Sequence, residues 1–236
     1  MRENMPDQMA KTGVKFRFRS LLTINNAWKL IYQFPYPIQK FAGFFLPYCG
    51  SEPPVSYFEQ GYKTRVNDRF KAMSQLSRYS IIKGYVQYHS HSSILDLGCG
   101  QGILYAHLRN SGILETITYT GVDVSEVAIS EAKTTNGASQ ECFLCEDLQA
   151  FISEPVHSFG TIILNEVLYY FSNPFDTLTR CSTLLDDDGV IIISMYDSYR
   201  NERCWQQVDQ VLHCLDSVKV EHHPTGKSWR IAVYSK

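Results

Sequence analysis

Three glycines alternate with other residues at positions 98, 100 and 102, after an apolar segment that predicts a β-strand and before a segment with helical periodicity. Glycine has no Cβ, so the backbone at these positions can adopt positive φ and lie closer to a ligand than any side chain would allow. Asp96 precedes the first glycine by two residues and brings a negative charge to the same loop. These residue types and spacings predict a ligand-binding loop that favours a cation.

A dinucleotide-binding loop has the spacing G-x-G-x-x-G, which here would require a glycine at position 103. This chain has Ile103 there, and its third glycine comes one residue earlier. The mismatch and the nearby acid both disfavour a diphosphate ligand. S-adenosylmethionine suits the loop better, because it carries an ammonium and a sulfonium group and no phosphate.

Two further predicted strands end in acids. Asp123 lies 25 residues after Gly98, near the roughly 20 residues expected for a ribose-binding carboxylate. Such a carboxylate can accept hydrogen bonds from two vicinal hydroxyls at once. Ser125 follows as the predicted N-cap of the next helix, and the third strand ends near Asp147. Taken alone, either acid is also compatible with a helix cap or a solvated turn.

The order of these strand ends, continued by a fourth strand that runs into residues 165–171, resembles that of the class I S-adenosylmethionine-dependent methyltransferases. The resemblance covers about residues 92–236. It implies that Asp147 binds the adenine amino group, while Val124 and Leu148 enclose the adenine ring. The cofactor-binding residues that the resemblance implies within this region are Asp96, Gly98, Cys99, Gly100, Gly102, Asp123, Val124, Asp147, Leu148 and Asn165.

Alternating strand and helix patterns predict an α/β fold with a doubly wound, seven-stranded, mostly parallel sheet, the Rossmann-like methyltransferase fold. The family closes this sheet with an antiparallel last strand. The pair Asn173–Pro174 predicts the start of the helix after the fourth strand. We expect residues 92–236 to form the S-adenosylmethionine-binding methyltransferase domain. Residues 1–91 are expected to form a helical N-terminal extension and lid.

Methyl transfer is an in-line displacement, so most of the barrier reduction comes from positioning, and an acceptor of high pKa also needs a base. Glu166 follows the fourth strand and is the predicted base or binding group for an amine or hydroxyl acceptor, with Tyr169 and Tyr170 shaping the pocket. The alternative is that Glu166 caps the following helical turn. The tyrosine rings favour a nitrogen acceptor mildly, since they could face a cationic amine.

Many members of the family carry a basic residue, just before the first strand, that pairs with the methionine carboxylate of the cofactor. Arg78, followed by Tyr79, resembles that element. Arginine suits the role, because its planar guanidinium can bind a carboxylate through two bonds. The structural alternative is a solvated helix residue.

The N-terminal segment differs in composition from the rest of the chain. Residues 1–91 carry 13 Lys and Arg against 5 Asp and Glu, whereas residues 92–236 carry 9 against 19. Residues 8–51 contain no acid, and their cations alternate with aromatic residues. We expect a cap packed on the core, with peripheral membrane contact as the sharper alternative. The basic and aromatic residues concerned are Lys11, Lys15, Phe16, Arg17, Phe18, Arg19, Trp28, Lys29, Tyr32, Phe34, Tyr36, Lys40, Phe41, Phe44 and Phe45.

The expected partner is a small-molecule methyl acceptor, with no nucleic acid and no metal ion; the composition leaves the oligomeric state open. The absence of a secretory pattern and the seven scattered cysteines predict a cytoplasmic protein with reduced thiols. Two alternatives to a small-molecule enzyme remain open. One is a methyltransferase acting on a membrane-embedded lipid or quinone, and the other is a non-catalytic cofactor-binding regulator.

Overall fold

One seven-stranded sheet organises the chain. The computed structural model describes residues 27–35, 38, 49–137, 142–153 and 158–236. The strands of the sheet are β1 (Ser93–Leu97), β2 (Thr118–Asp123), β3 (Phe143–Cys145), β4 (Phe159–Asn165), β5 (Leu185–Tyr196), β6 (His213–His222) and β7 (Lys227–Ser235).

The strand order across the sheet is β3-β2-β1-β4-β5-β7-β6. The first five strands run parallel to one another, and β7 is antiparallel to both β5 and β6. This confirms the predicted doubly wound, mostly parallel sheet with an antiparallel last strand. The central strand β4 is buried along almost its whole length, as its continuous apolar sequence requires when helices cover both faces.

Helices lie before and between the strands. Those of the described residues that matter for the site are α1 (Val55–Lys63), α2 (Leu76–His89), α3 (Ile103–Arg109), α4 (Glu126–Asn136), α5 (Leu148–Phe151), α6 (Pro174–Thr183) and α7 (Glu202–Val211). A short 3₁₀ segment, Val66–Lys71, connects α1 towards α2.

Two predicted helix starts are confirmed. The Ala128 amide donates to Ser125 Oγ at 3.2 Å, which caps α4. At the start of α6, the Asp176 amide donates to Asn173 Oδ1 at 3.4 Å, and proline occupies the first helical position. Both caps satisfy backbone donors that the first turn of a helix leaves free.

The helix α2 packs directly on the sheet. Its residues Ile82 and Val86 are buried in the same apolar cluster as Ile94 of β1 and Ile192 of β5. These contacts hold α2 against the sheet. The division of the chain into residues 1–91 and 92–236 stays a prediction, although α2 shares its core with the strands.

Most of the basic aromatic segment 8–51 lies outside the described residues, including Lys11, Lys15, Arg17, Arg19 and Lys40. In its described part Trp28 is almost fully buried and stacks on Tyr32 with 5.3 Å between ring centroids. Tyr32 in turn meets the edge of Tyr57 of α1 at 5.7 Å. Membrane contact by this segment stays a prediction. No helix within the described ranges is long and apolar enough to cross a bilayer. The seven cysteines all lie within the described ranges, and none of them forms a disulfide bond with another.

Candidate active site

A cavity of about 600 Å³ opens at the carboxyl ends of β1, β2 and β4. Parallel α/β sheets bind their ligands at this edge, and the volume is that of a small-molecule site. Ten of the predicted cofactor and acceptor residues line the cavity. They are Arg78, Asp96, Gly98, Cys99, Gly100, Asp123, Asn165, Glu166, Tyr169 and Tyr170.

The glycine loop has the bare backbone that its sequence predicts. Gly98 has φ +76°, and a Cβ there would lie 2.6 Å from the side chain of Val167. Gly100 has φ +55°, and a Cβ there would lie 2.8 Å from Tyr62 Oη. Both positions therefore exclude other residues by conformation and by space. Gly102 does not line the cavity and packs beneath the loop, against Asn136.

Asp123 is buried at the end of β2 and holds the loop from below. Its Oδ2 accepts the Gly100 amide at 2.9 Å, and its Oδ1 accepts the Ser125 amide at 2.9 Å. Burial raises the pKa of the carboxyl to about 6, against the opposing effect of these hydrogen bonds. Asp123 is thus no solvated turn residue. A carboxylate has further lone pairs, so both oxygens can still accept a ligand hydroxyl.

Asp96 is a buried carboxyl with one unmatched oxygen. Its Oδ2 accepts the Tyr119 hydroxyl at 2.5 Å. Its Oδ1 has no hydrogen-bond partner among the described residues, and the residue lines the cavity. Burial raises the pKa of this carboxyl to about 7, with the charge of Asp123 adding to the effect and the Tyr119 hydroxyl opposing it. A cationic group in the cavity would satisfy the free oxygen and favour ionisation of Asp96.

Arg78 is 1% exposed, which excludes a solvated helix residue. Its Nη1 donates to Asn165 Oδ1 at 2.8 Å and lies 3.6 Å from Glu166 Oε1. The guanidinium also lies 4.7 Å from the ring centroid of Tyr79. Its Nε and Nη2 have no hydrogen-bond partner within the part of the chain that the structure describes. Buried donors without acceptors are costly, so Nε and Nη2 are free to donate to a group in the cavity.

Glu166 follows β4 in an unusual conformation for a residue other than glycine, with φ +64°. Strain of this kind is concentrated at functional sites. Its Oε2 accepts the Tyr169 hydroxyl at 3.0 Å, and no side-chain bond caps the next helical turn. Burial raises the pKa of Glu166, although Arg78 and the Tyr169 hydroxyl favour the charged form. The arrangement suits a carboxylate that takes up a proton more readily than an exposed glutamate does.

The two tyrosines differ in their surroundings. Tyr169 is buried, and its pKa lies well above the usual range because of burial and the neighbouring Glu166. Tyr170 is half-buried and meets Tyr169 at 4.5 Å and Phe58 of α1 at 5.1 Å between ring centroids. These rings form an apolar wall of the cavity beside the Glu166 carboxylate.

The three residues implied for adenine lie apart from the cavity lining. The side chain of Asp147 is exposed and caps α5 by accepting the Ala150 amide at 2.9 Å. Val124 and Leu148 are half-buried, and neither lines the cavity. Their role towards adenine stays a prediction.

Residues 55–71 cover the cavity and supply lining residues that the sequence predicts only in part. Tyr57, Phe58, Tyr62, Arg69 and Phe70 are among the lining residues, and no recognisable sequence motif marks any of them. Arg65 of the same segment is exposed and pairs with Asp68 instead of lining the cavity.

Residues 55–71, which we name the covering segment, contact the start of α4 and its residue Glu131. The Ser125 hydroxyl donates to Glu59 Oε1 at 2.9 Å. Lys71 Nζ lies 2.7 Å from Glu131 Oε1, and Gln101 of the glycine loop donates to Glu131 Oε2 at 2.6 Å. These contacts join residues 30 to 66 positions apart, which is why local sequence patterns do not predict them.

A family model described as a methyltransferase domain matches residues 59–230, which is more than half of the chain. The chain therefore belongs to this methyltransferase family. With the sheet order and the cavity described above, it is a class I S-adenosylmethionine-dependent methyltransferase, as the sequence predicts, and S-adenosylmethionine is the cofactor of the class.

Two curated relatives are similar to parts of the chain. The ubiquinone biosynthesis O-methyltransferase of Nitrosospira multiformis is 25% identical over 133 residues, covering 54% of this chain and 53% of that protein. The malonyl-[acyl-carrier protein] O-methyltransferase of Anoxybacillus flavithermus is 24% identical over 171 residues, covering 69% of this chain and 62% of that protein. The chain thus spans little more than half the length of these relatives.

Among solved structures, the fold is similar to that of the N-methyltransferase NodS from Bradyrhizobium japonicum WM9 in complex with S-adenosyl-L-homocysteine. The TM-score is 0.58 at 17% identity, and the match covers 70% of this chain and 89% of that one. This likeness concerns the fold.

Proposed function

We propose that this chain transfers the methyl group of S-adenosylmethionine to a nitrogen or oxygen nucleophile of a small-molecule acceptor. The observation that carries the proposal is the buried guanidinium of Arg78, which has two unmatched N–H groups and lies between Asn165 and Glu166 at the cavity wall. Few structural roles explain such donors, because a buried arginine normally has its hydrogen bonds satisfied.

The unmatched atoms of the cavity are complementary to the methionine part of the cofactor. The free N–H groups of Arg78 would bind its carboxylate, and Asp96 Oδ1 would accept a hydrogen bond from its ammonium. Asn165, which already accepts a bond from Arg78, fixes the guanidinium against the end of β4.

The rest of the cofactor would follow the glycine loop. Gly98 and Gly100 leave room for it, Cys99 lines the same wall, and Gly102 permits the turn into α3. Asp123 would accept the ribose hydroxyls. The resemblance extends this path to adenine through Val124, Asp147 and Leu148.

When bound, the cofactor supplies an electrophilic methyl group on a sulfonium. Glu166 would bind the acceptor beside it and take up the proton that the nucleophile loses. The Tyr169 hydroxyl holds the Glu166 carboxylate at 3.0 Å and orients it. Tyr170 and the covering segment would exclude water and align the acceptor, which supplies most of the rate enhancement in such a displacement.

The relatives bear on whether the acceptor atom is oxygen or nitrogen. Both curated relatives reported above are named O-methyltransferases, which supports oxygen. As a base, Glu166 would take a proton from a hydroxyl as well as from an amine. Nitrogen stays within the proposal, because the tyrosine rings can face a cationic amine.

A second candidate is a methyltransferase for a membrane-embedded lipid or quinone. Its support is the similarity to a protein named for ubiquinone biosynthesis and the basic, aromatic composition of residues 8–51. Co-sedimentation of the full chain with anionic lipid vesicles, compared with a chain lacking residues 1–52, tests it. Equal sedimentation of the two chains would contradict membrane docking through this segment.

The main proposal is tested in two steps. Calorimetric titration of S-adenosylhomocysteine into the wild-type chain tests cofactor binding. Release of S-adenosylhomocysteine from S-adenosylmethionine, measured with a panel of small amines, phenols and carboxylic acids, tests turnover. Cofactor binding without turnover of any acceptor, small or membrane-embedded, would favour the non-catalytic regulator.

A further inference from the structure

The end of the cavity beyond Glu166 is positively charged, and we propose that the methyl acceptor carries an anionic group, a carboxylate or a phosphate, that Arg69 and Lys227 bind there. The inference rests on the proposed function, because it concerns the substrate of the same site. It adds a charge to the acceptor that neither the family nor the position of Glu166 requires.

The order of the sheet separates the two ends of the cavity. Asp123 of β2 and the loop after β1 line one end, whereas Asn165 ends β4 and Glu166 follows it. Next across the sheet come β5 and β7, where Tyr196 pairs in register with Trp229. An acceptor beside Glu166, opposite the glycine loop, therefore lies over the ends of β5 and β7.

Three cations line the cavity at this end. Lys227 begins β7, two residues before Trp229, and Arg200 follows β5, four residues after Tyr196. Arg69 comes from the covering segment above them, with its guanidinium 4.9 Å from the ring centroid of Phe70. The Phe70 ring also lies 5.8 Å from the Arg78 guanidinium, which lies 5.9 Å from the ring centroid of Trp229, so Arg69 lies near the start of β7.

The pairing of these cations distinguishes them from their neighbours. In the covering segment Lys63 pairs with Glu59, Arg65 with Asp68, and Lys71 with both Asp68 and Glu131. Arg69 of the same segment has no acidic partner within 4.0 Å among the described residues, and neither has Lys227. Both nevertheless line the cavity. Both are exposed residues, so each positive charge faces the open cavity with no carboxylate within 4.0 Å in the described part of the chain.

The charges that line the cavity do not balance. Four cations, namely Arg69, Arg78, Arg200 and Lys227, face three carboxyls, namely Asp96, Asp123 and Glu166. The cofactor adds a net positive charge, because it has an ammonium, a sulfonium and one carboxylate. An anionic acceptor would offset this excess and would be drawn to the open end of the cavity by it.

The test uses the full chain saturated with S-adenosylhomocysteine, whose own titration is measured first. Phenylacetate, its neutral counterpart phenylacetamide, and phenyl phosphate are then titrated by calorimetry at low ionic strength. Comparison of the two anions distinguishes a carboxylate site from a phosphate site. The variants are Arg69→Gln and Lys227→Gln. The control is Arg65→Gln, which removes the same charge from the covering segment at an exposed residue outside the cavity.

We expect at least one anion to bind more tightly than phenylacetamide, and each of the two variants to weaken that anion by about three- to tenfold. Arg65→Gln should leave it unchanged, and all variants should bind S-adenosylhomocysteine as the wild type does. Equal affinity for the anions and the amide, no binding of any probe, or an unchanged preference in Arg69→Gln and Lys227→Gln would overturn the inference. Failure of S-adenosylhomocysteine to bind would instead count against the proposed function.

Discussion

Arg78 and Glu166 form a buried ion pair with 3.6 Å between Nη1 and Oε1, although they lie 88 positions apart in the chain. One comes from the helix before the first strand and the other from the turn after the fourth. Removal of either partner would leave a buried charge unpaired, which is costly. The pair therefore joins the proposed cofactor and acceptor sites. Substitutions that preserve the shape or the charge of a side chain test each site more cleanly than substitutions to alanine.

Glu166→Gln should lower kcat by about a hundredfold or more, because a base typically contributes that much to proton transfer. Affinity for S-adenosylhomocysteine should stay within about threefold of the wild type, since Gln keeps the volume of Glu. Steady-state kinetics with the best acceptor of the panel, together with calorimetry, separates the two effects. Glu202→Gln, at an exposed residue of α7, is the control. Unchanged turnover in Glu166→Gln would eliminate the role of base.

The pH profile of kcat should rise with pH, because Glu166 must be ionised to accept a proton. Burial raises the pKa of Glu166, so the midpoint should lie above the usual range of a glutamate. Tyr169→Phe removes a hydrogen bond that favours the charged form, and the midpoint should therefore move to higher pH. A profile that does not move in Tyr169→Phe would contradict the orienting role of the hydroxyl.

Arg78→Lys should weaken S-adenosylhomocysteine binding by about ten- to a hundredfold, which corresponds to the loss of one or two hydrogen bonds to a charged group. Lysine keeps the positive charge beside Glu166 and so avoids an unpaired buried acid. Circular dichroism checks the fold, and Arg65→Lys on the covering segment is the matched control, since Arg65 is exposed. Wild-type affinity in Arg78→Lys would dismiss a two-bond contact with the cofactor.

Asp96→Asn should stabilise the chain and weaken cofactor binding together. The pKa of Asp96 is raised from 3.8 to about 7, so the wild type loses stability as pH rises between these values. Asn accepts the Tyr119 hydroxyl equally well and carries no charge to bury. The difference in unfolding free energy near pH 8 should be roughly 2–4 kcal/mol in favour of the variant. Equal stability of the two chains from pH 5 to pH 8, by urea denaturation, would contradict a raised pKa.

Gly100→Ala should impair cofactor binding, whereas Gly137→Ala should not. Both glycines have φ +55°, so both substitutions bring a similar backbone strain of about 1–2 kcal/mol. A Cβ at position 100 also lies 2.8 Å from Tyr62 Oη, while a Cβ at position 137 meets nothing within 4 Å. Calorimetry should show a loss of at least about tenfold in affinity for Gly100→Ala alone. A similar loss in both variants would attribute the effect to strain instead of to the glycine loop.

The strands and the glycine loop could be predicted because their signals are local. Apolar runs with buried faces predict β1, β2, β4 and β5. The glycines at positions 98 and 100 predict a backbone of positive φ, which the structure has there. The caps at Ser125 and Asn173 follow the same logic, since a short polar side chain satisfies the first turn of a helix.

The walls of the cavity could be predicted only in part, because they depend on contacts between distant segments. The ion pair of Lys71 with Glu131, the contact of Tyr62 with Gly100 and the entry of Lys227 into the cavity leave no periodic pattern in the sequence. The sequence is compatible with either a solvated or a buried Arg78, and the buried position depends on its hydrogen bond to the distant Asn165. For Asp147 the sequence resemblance implies a role that its position in the structure does not test, because the side chain is exposed and caps α5.

The most direct measurement of the central claim is calorimetric titration of the wild-type chain with S-adenosylhomocysteine. The account predicts binding of one molecule per chain, with affinity that increases from pH 6 to pH 8 as Asp96 and Asp123 ionise. No heat with either S-adenosylhomocysteine or S-adenosylmethionine, accompanied by tight binding of a nicotinamide dinucleotide or a flavin, would contradict it.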